Sequence, residues 1–305
     1  MKRILVTGGT GMVGHALQEA IPGATFVSSK DADLRVSDQA NTLIGEVQPT
    51  HVIHLAARVG GVKANMDNLG SFYYDNIMIN TNVLESCRIH RVQKVLSLLS
   101  TCVYPDGAPY PLQEESMHIG APHTSNYGYA YAKRMVDVQS RAYRQQYGSN
   151  FITVIPNNLF GENDYFHLHN SHVIPAMIRK IYEARENDTD AALWGTGMVY
   201  REFTYAKDLA KILFLLLDNY NEASPINVGA PKEHLIKDVA EKICSIFDFK
   251  NDIIWNASMP KGQYRKPSDD TKLRTIGYSD YTEFDVALQN TCDWFETNYE
   301  NVRGR

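Results

Sequence analysis

"LVTGGTGMVG", residues 5–14, decides the fold. The apolar run from Ile4 to Val6 ends in glycine. "GMVGHALQEAI" follows, with Met12, Val13, Ala16, Leu17, Ala20 and Ile21 on one helical face. The pattern is a buried strand, a tight turn and a helix. Gly8, Gly11 and Gly14 recur at every third position across it. The first permits the turn, the second lets the backbone approach a pyrophosphate, and the third allows close packing of helix on strand. The helix N-terminus supplies free N–H groups to an anion. The stretch reads as a nucleotide-binding loop.

Further apolar runs extend the pattern. "ATFV", "HVIHLAA" (51–57), "KVLSLLS" (94–100) and "FITVIPN" (151–157) read as strands, with helical stretches between them. Continuous apolar strands alternating with helices predict a parallel sheet covered on both faces. After about residue 160 the alternation loosens into "FGENDYFHLHNSHVIPAMIRKIYEA", then "REFTYAKDLAKILFLLLDNY", "PINVGA", the amphipathic "HLIKDVAEKICSIF" with Cys244 on its apolar side, "IIWNAS" and a terminal helix. The expected architecture is α/β: a Rossmann-type doubly wound parallel sheet with a smaller, discontinuous C-terminal α/β lobe. The sheet domain is expected over 1–160, with 201–223 returning to it. The substrate lobe is expected over 161–200 and 224–305.

Composition narrows the class. A chain of 305 residues with net charge −5 has no basic signature for nucleic acid. Cys87, Cys102, Cys244 and Cys292 are scattered, with no CxxC pair, so neither a disulfide framework nor a zinc knuckle is indicated. The first strand begins at Arg3, which leaves no room for a signal peptide. No run approaches ~18 apolar residues. A reducing cytosol is expected and no membrane contact.

The second strand ends in "VSSKDADL", roughly 20 residues after Gly8, where the cofactor ribose is read. A 2′-phosphate wants cations and hydroxyls, and Ser28, Ser29 and Lys30 provide them, so NADP(H) is expected over NAD. Met12, Val13, Leu34 and the "LAA" of Leu55, Ala56 and Ala57 are expected to line the same cofactor.

"NYGYAYAKRM" contains three tyrosines, but only Tyr129 has a lysine four residues on, Lys133. That spacing puts both on one helical face. A neighbouring ammonium favours phenolate, so the phenol is expected to titrate below ~10 and exchange a proton with a carbonyl oxygen. Lys133 is also a candidate for the cofactor ribose. Ser100 stands at the carboxyl end of a strand, where open α/β sheets place ligands. Its hydroxyl is a candidate hydrogen-bond donor to the same oxygen; the competing reading is a turn or cap serine. Tyr127 and Tyr131 read as packing or substrate-lining residues. In this order, "TGGTGMVG", "HLAA", Ser100 and Tyr129–Lys133 resemble the extended short-chain dehydrogenase/reductase superfamily, across essentially the whole chain.

Further stretches resemble one family within it, the GDP-L-fucose synthases: "AARVGGVKAN" (56–65), "STCVYP" (100–105), "YGYAYAKRM" (127–135), "NNLFGENDYF" (157–166), "NSHVIPAMIRK" (170–180) and "WGTGMVYREF" (194–203). The resemblance implies epimerisation at C3 and C5 of GDP-4-keto-6-deoxy-D-mannose and reduction at C4 by NADPH, giving GDP-L-fucose. Inverting two centres requires acid/base groups beyond the tyrosine, and a thiol and an imidazole titrate near enough to neutrality. The resemblance puts those roles on Cys102 and His172. On an extended segment, Ser100 and Cys102 are expected to face the same side. It also points to Asn158, Lys180, Trp194, Arg201 and Lys266 for the GDP-sugar. Arginine suits bidentate phosphate contacts. His167, His169 and His172 lack a grouped carboxylate or thiol, so no metal site is expected. A homodimer through helices near 72–90 and 127–147 follows by analogy.

Some positions depart from the family's commoner pattern. Thr10 stands where a basic residue is frequent, Asn157 and Glu162 replace Thr and Pro, and Pro267 and Ser268 replace aliphatic residues. The rival readings are a GDP-L-colitose synthase, which inverts C5 alone in a 3,6-dideoxy 4-keto sugar, and a catalytically silent nucleotide-sensing protein. The second would be marked by loss of Ser100, Tyr129 or Lys133, and all three are present.

Overall fold

The computed structural model describes residues 2–259 and 262–305. The first half runs β1 (Ile4–Thr7), α1 (Met12–Ala20), β2 (Thr25–Val27), α2 (Ser37–Val47), β3 (His51–His54), α3 (Val62–Asp67), α4 (Leu69–Ile89), β4 (Lys94–Leu98), α5 (Tyr127–Tyr147) and β5 (Phe151–Pro156). The second runs β6 (Asn158–Phe160), α6 (Val173–Glu186), β7 (Ala191–Trp194), β8 (Tyr200–Tyr205), α7 (Ala206–Asn219), β9 (Ile226–Val228), β10 (Glu233–Leu235), α8 (Ile236–Ile246), β11 (Ile253–Asn256), α9 (Thr271–Thr275) and α10 (Phe284–Asn298).

The main sheet is six-stranded and parallel, in the order β2-β1-β3-β4-β5-β9. Every residue of β4 and β5 is buried, which is why neither strand alternates polar with apolar. One face carries α1 and α7, joined through Leu17, Leu209 and Leu213. The other carries α2, α4 and α5, joined through Ile44, Val83, Leu84 and Val136. From β1 the chain moves outward to β2, then returns to β3 on the opposite side. That reversal opens a crevice at the carboxyl ends of β1 and β3.

The second lobe has a three-stranded sheet, β10-β8-β6, and a two-stranded one, β11-β7. Helices α6, α8 and α10 bury Ile178, Ile181, Val239, Ile243, Leu288 and Phe295 against them. The division of the chain differs from the expected one. β8 pairs with β6 and β10 in the small sheet, so residues 201–205 do not return to the main one. The return begins at α7, inside the expected 201–223, and continues past it to β9, whose Ile226–Val228 lies beside β5. Burial explains it: β5 is covered on both faces, and the fully buried Ile226 and Val228 complete its open edge. Leu273 and Tyr278, expected in the second lobe, also join the core of α1 and α7.

His54 ties the sheet to α4. Its Nδ1 is 2.8 Å from Thr7 Oγ1 and its Nε2 is 3.0 Å from Asn80 Oδ1. Complete burial, with Lys133 nearby, pushes the imidazole down to about 3, so it is neutral in the folded chain. The unfolded chain takes up a proton at ~6.5 and the folded one does not, so stability falls as pH drops below that value. Between pH 7 and 5 this one group costs about 2 kcal/mol. His54→Asn is expected to remove about that much of the pH dependence of urea unfolding in the ligand-free protein. An unchanged difference between the two pH values would contradict a buried neutral imidazole.

Candidate active site

The glycine loop closes on itself as its spacing requires. Gly8 has φ +73°, and a Cβ there would stand 2.8 Å from the Ala56 amide nitrogen. A Cβ at Gly14 would stand 2.4 Å from the Gly9 carbonyl oxygen. At Gly11, which precedes α1, the nearest such atom is the Gly8 carbonyl at 3.3 Å, so its outer side is open. This is a cradle for a pyrophosphate at a helix N-terminus. Leu55, Ala56 and Ala57 leave β3 beside it, where the Leu55 amide donates to the Thr7 carbonyl. Met12 and Val13 open α1, and Leu34 is buried beyond β2.

The turn after β2 works differently from its sequence reading. The Ser28 amide and hydroxyl both donate to Asp31 Oδ2, at 2.7 and 2.9 Å. These bonds hold the Asp31 carboxyl below its usual range. Ser28 therefore shapes the turn, with its amide and hydroxyl engaged by Asp31. Ser29 and Lys30 remain exposed and available. The same bonds occupy the carboxylate oxygen that would otherwise address a ribose 2′-OH.

α5 places Tyr129 and Lys133 on one face, with Lys133 Nζ 5.9 Å from the Tyr129 ring centre. The expected effect on the phenol does not appear. Burial pushes Tyr129 up, the nearby Cys102 adds to that, and the phenol stays protonated. Lys133 is itself fully enclosed, which pushes its ammonium down to about 8. It donates to the Leu98 carbonyl at 2.7 Å, so its charge is engaged with the backbone.

"STCVYP" is also not an extended segment. Residues Thr101–Val103 form one 3-10 turn, and Ser100 caps it by accepting from the Cys102 amide at 3.4 Å. Ser100 is thus a cap, and the turn folds Cys102 back towards it. Burial pushes the Cys102 thiol up, while the Ser100 hydroxyl and the charges of Lys266, Lys133 and Arg134 act against that. Arg134 escaped the sequence reading. Its Nε donates to the Val103 carbonyl at 2.6 Å and its Nη1 to Gly120 at 2.7 Å, clamping the turn from behind. Its place next to Lys133 was the available signal.

His172 precedes α6. Its ring is open to the cleft yet surrounded by protein, and this enclosure, with Lys266 beside it, pushes the imidazole down to about 4. His167 organises the loop: its Nδ1 accepts from the amides of His169 and Asn170, both at 3.1 Å. His169 stacks on Trp194 with ring centres 6.0 Å apart, and Lys180 Nζ lies 4.6 Å above the same indole. The three histidines thus have three separate tasks. Lys180 and Lys266 are each pushed down to about 8 by burial, and Arg201 to about 10. Arg201 Nη1 donates to the Tyr200 carbonyl at 2.6 Å, and Asn158 donates to the Glu202 carbonyl at 2.8 Å. A cavity of about 460 Å³ opens here between Val62, Met66 and Leu69 on one side and His123–Ser125 on the other. Gly262 closes it, 3.3 Å from Arg201 Nη2 measured from the place of a Cβ.

A glycine loop for a dinucleotide, with serine, tyrosine and lysine at one strand end, defines a class that works on a carbonyl beside a nicotinamide. The model of the NAD dependent epimerase/dehydratase family matches residues 4–229. A "GDP-L-fucose synthase" from Dictyostelium discoideum is 42% identical over 312 residues, covering 99% of this chain and 98% of that protein. A GDP-L-fucose synthetase from Naegleria fowleri, solved bound to NADP, superposes with a TM-score of 0.92 at 38% identity, covering 99% of this chain and 96% of that one. A GDP-L-colitose synthase from Yersinia pseudotuberculosis is 33% identical over 98% of this chain and 99% of its own. The chain belongs to the NAD dependent epimerase/dehydratase family and, within it, to the GDP-L-fucose synthases.

The electrostatics of Cys102 yield a direct test. Lys266 lowers a thiol that burial raises, so Lys266→Met is expected to move the pH profile of Cys102 alkylation to higher pH. At pH 8 the labelling rate, read by mass spectrometry on the Cys102 peptide, is expected to fall roughly threefold to tenfold. An unshifted profile would remove Lys266 from the surroundings of the thiol.

Proposed function

We propose that this chain converts GDP-4-keto-6-deoxy-D-mannose to GDP-L-fucose with NADPH, by inversion at C3 and C5 and reduction at C4. One observation carries the reading. A thiol from the sheet domain, Cys102, and an imidazole from the other lobe, His172, both feel the charge of Lys266 beside the serine, tyrosine and lysine. Reduction alone does not call for that pair.

The chemistry follows from the ketone. The C4 carbonyl acidifies the protons at C3 and C5. One member of the thiol–imidazole pair takes the proton, the C–H electrons move onto the C4 oxygen, and the other member returns a proton to the opposite face. Each inversion leaves the pair with its proton transposed, and exchange with solvent restores it. Ser100 and Tyr129 supply hydrogen bonds to the C4 oxygen while it carries charge. The bound cofactor supplies the hydride for C4. Tyr129 gives the alkoxide its proton, and the protonated state that burial enforces is the one this step needs. Lys133 orients the phenol and addresses the ribose. The loop that Gly8 and Gly14 shape would receive the pyrophosphate at Gly11, with Ser29 and Lys30 at the 2′-phosphate. Lys180, Arg201 and Lys266 meet the charge of the nucleotide diphosphate, with Trp194 and Asn158 alongside.

No described helix is long and apolar enough to cross a membrane. Four free thiols accord with a reducing cytoplasm. A homodimer through α4 and α5 accords with the exposure of Tyr73, Tyr74, Met135 and Val138 on those helices.

Incubation with the keto sugar and NADPH in deuterated water is expected to place one deuteron at C3 and one at C5 while NADPH is oxidised. Deuterium at C5 alone would favour the colitose chemistry. Reduction without solvent deuterium would refute the epimerase half. Cys102→Ser is expected to cripple exchange while NADPH still binds. Tyr129→Phe is expected to lower kcat for reduction about 10²–10⁴-fold.

A further inference from the structure

We infer that the Gly60–Gly61 turn is a backbone latch that positions His172 against Cys102, and so serves epimerisation and not reduction. The inference rests on the proposed activity and adds a positioning element to it.

The turn follows Leu55–Ala57 and leads into α3. The Gly61 amide donates to the Asn170 carbonyl at 2.8 Å, joining the sheet domain to the loop of the second lobe two residues before His172. A Cβ at Gly61 would stand 2.3 Å from the Ser171 carbonyl oxygen. Its φ of −65° and ψ of −179° are open to any residue, so glycine is needed for contact and not for conformation. At Gly60 a Cβ would stand 2.9 Å from the Ala64 side chain and 3.3 Å from the Asn170 carbonyl oxygen.

Both halves of the latch are braced. On one side the Asn65 amide donates to the carbonyls of Gly60 and Gly61, at 2.8 and 3.0 Å. On the other, His167 Nδ1 accepts from the amides of His169 and Asn170, and the Ser171 hydroxyl donates to the His167 carbonyl. The next residue is His172. The loop is fixed from within, so a push at Ser171 is passed on along the backbone. Ser100 belongs to the turn after β4 and Tyr129 and Lys133 to α5, whereas the three atoms nearest a Cβ at Gly61 all belong to Asn170 and Ser171.

An alanine at 61 has to open the Ser171 contact by about 1 Å, a misplacement that costs on the order of 10²-fold where two groups must be aligned. Gly61→Ala is therefore expected to lose roughly 10²-fold in kcat for deuterium incorporation at C3 and C5. Its NADPH oxidation against the un-epimerised ketone is expected to fall less than about tenfold, with NADPH affinity within about twofold. Asn65→Ser removes both braces without adding bulk. It is expected to show the same split at about a tenfold loss of exchange, and it carries the test if Gly61→Ala does not fold. Selective loss of exchange in either folded variant supports the latch. Unchanged exchange, or equal loss of exchange and reduction, overturns it. The parent protein is run alongside: absence of exchange there is a failure of the proposed activity, and normal exchange there with normal variants is a failure of the latch.

Discussion

The buried ammonium of Lys133 is the constraint on which the site depends. Lys133 is 2% exposed and its donor bond goes to the Leu98 carbonyl, at the last residue of β4. Removing an ammonium from water costs several kcal/mol unless a partner receives it. A hydrogen bond from a charged group returns about 1.5–3 kcal/mol only when its geometry is kept. α5 is therefore fixed across the carboxyl end of β4, and Tyr129, one turn earlier, is fixed with it. Arg134 repeats the device on the next residue, gripping the carbonyls of Val103 and Gly120. Two successive cations hold by its backbone the segment that bears Ser100 and Cys102.

The groups for the two halves of the reaction arise from different parts of the fold. Ser100, Tyr129 and Lys133 all belong to β4, its turn and α5, within the sheet domain. The thiol sits on that same turn, but the imidazole comes from the start of α6 and the ammonium between them from residue 266. In the proposed reaction the reducing set is thus local to one domain, and the proton-handling set draws on both lobes.

The glycine loop was legible in the sequence because few residues fit its geometry: a positive φ at Gly8 and a 2.4 Å approach at Gly14 leave little else. The Tyr129–Lys133 pair was legible because helical spacing alone fixes it. The place of β9 was not, since three residues carry no period of their own and the partner is set by the open edge of β5. Nor was the capture of Ser28 by Asp31, a local hydrogen bond that competes with ligand contact. The state of the Tyr129 phenol is not legible from spacing, because it is set by burial, which a sequence pattern does not measure. His167 as the organiser of its loop depended on backbone amides, which spacing does not reveal.

Two of the unusual residues noted in the sequence, Asn157 and Ser268, meet on one carboxylate, Glu202. Asn157 accepts from the Thr204 hydroxyl at 2.7 Å and donates to the Ala230 carbonyl and weakly to Glu202. Ser268, the other unusual residue, gives both its amide and its hydroxyl to the same Glu202 oxygen, at 3.1 and 2.7 Å. Glu162, standing where proline is usual, accepts from the Tyr205 hydroxyl. Glu202 is pushed up by burial but held by these donors, and its charge bears on Lys266, beside Arg201. Two enclosed cations without a counter-charge would each be costly in the free protein. Glu202 bears on Lys266 and Glu233 on Arg201, so each enclosed cation has an acidic side chain of its own nearby. Asn157 and Ser268 therefore bear on how Glu202 is secured, and through it on Lys266.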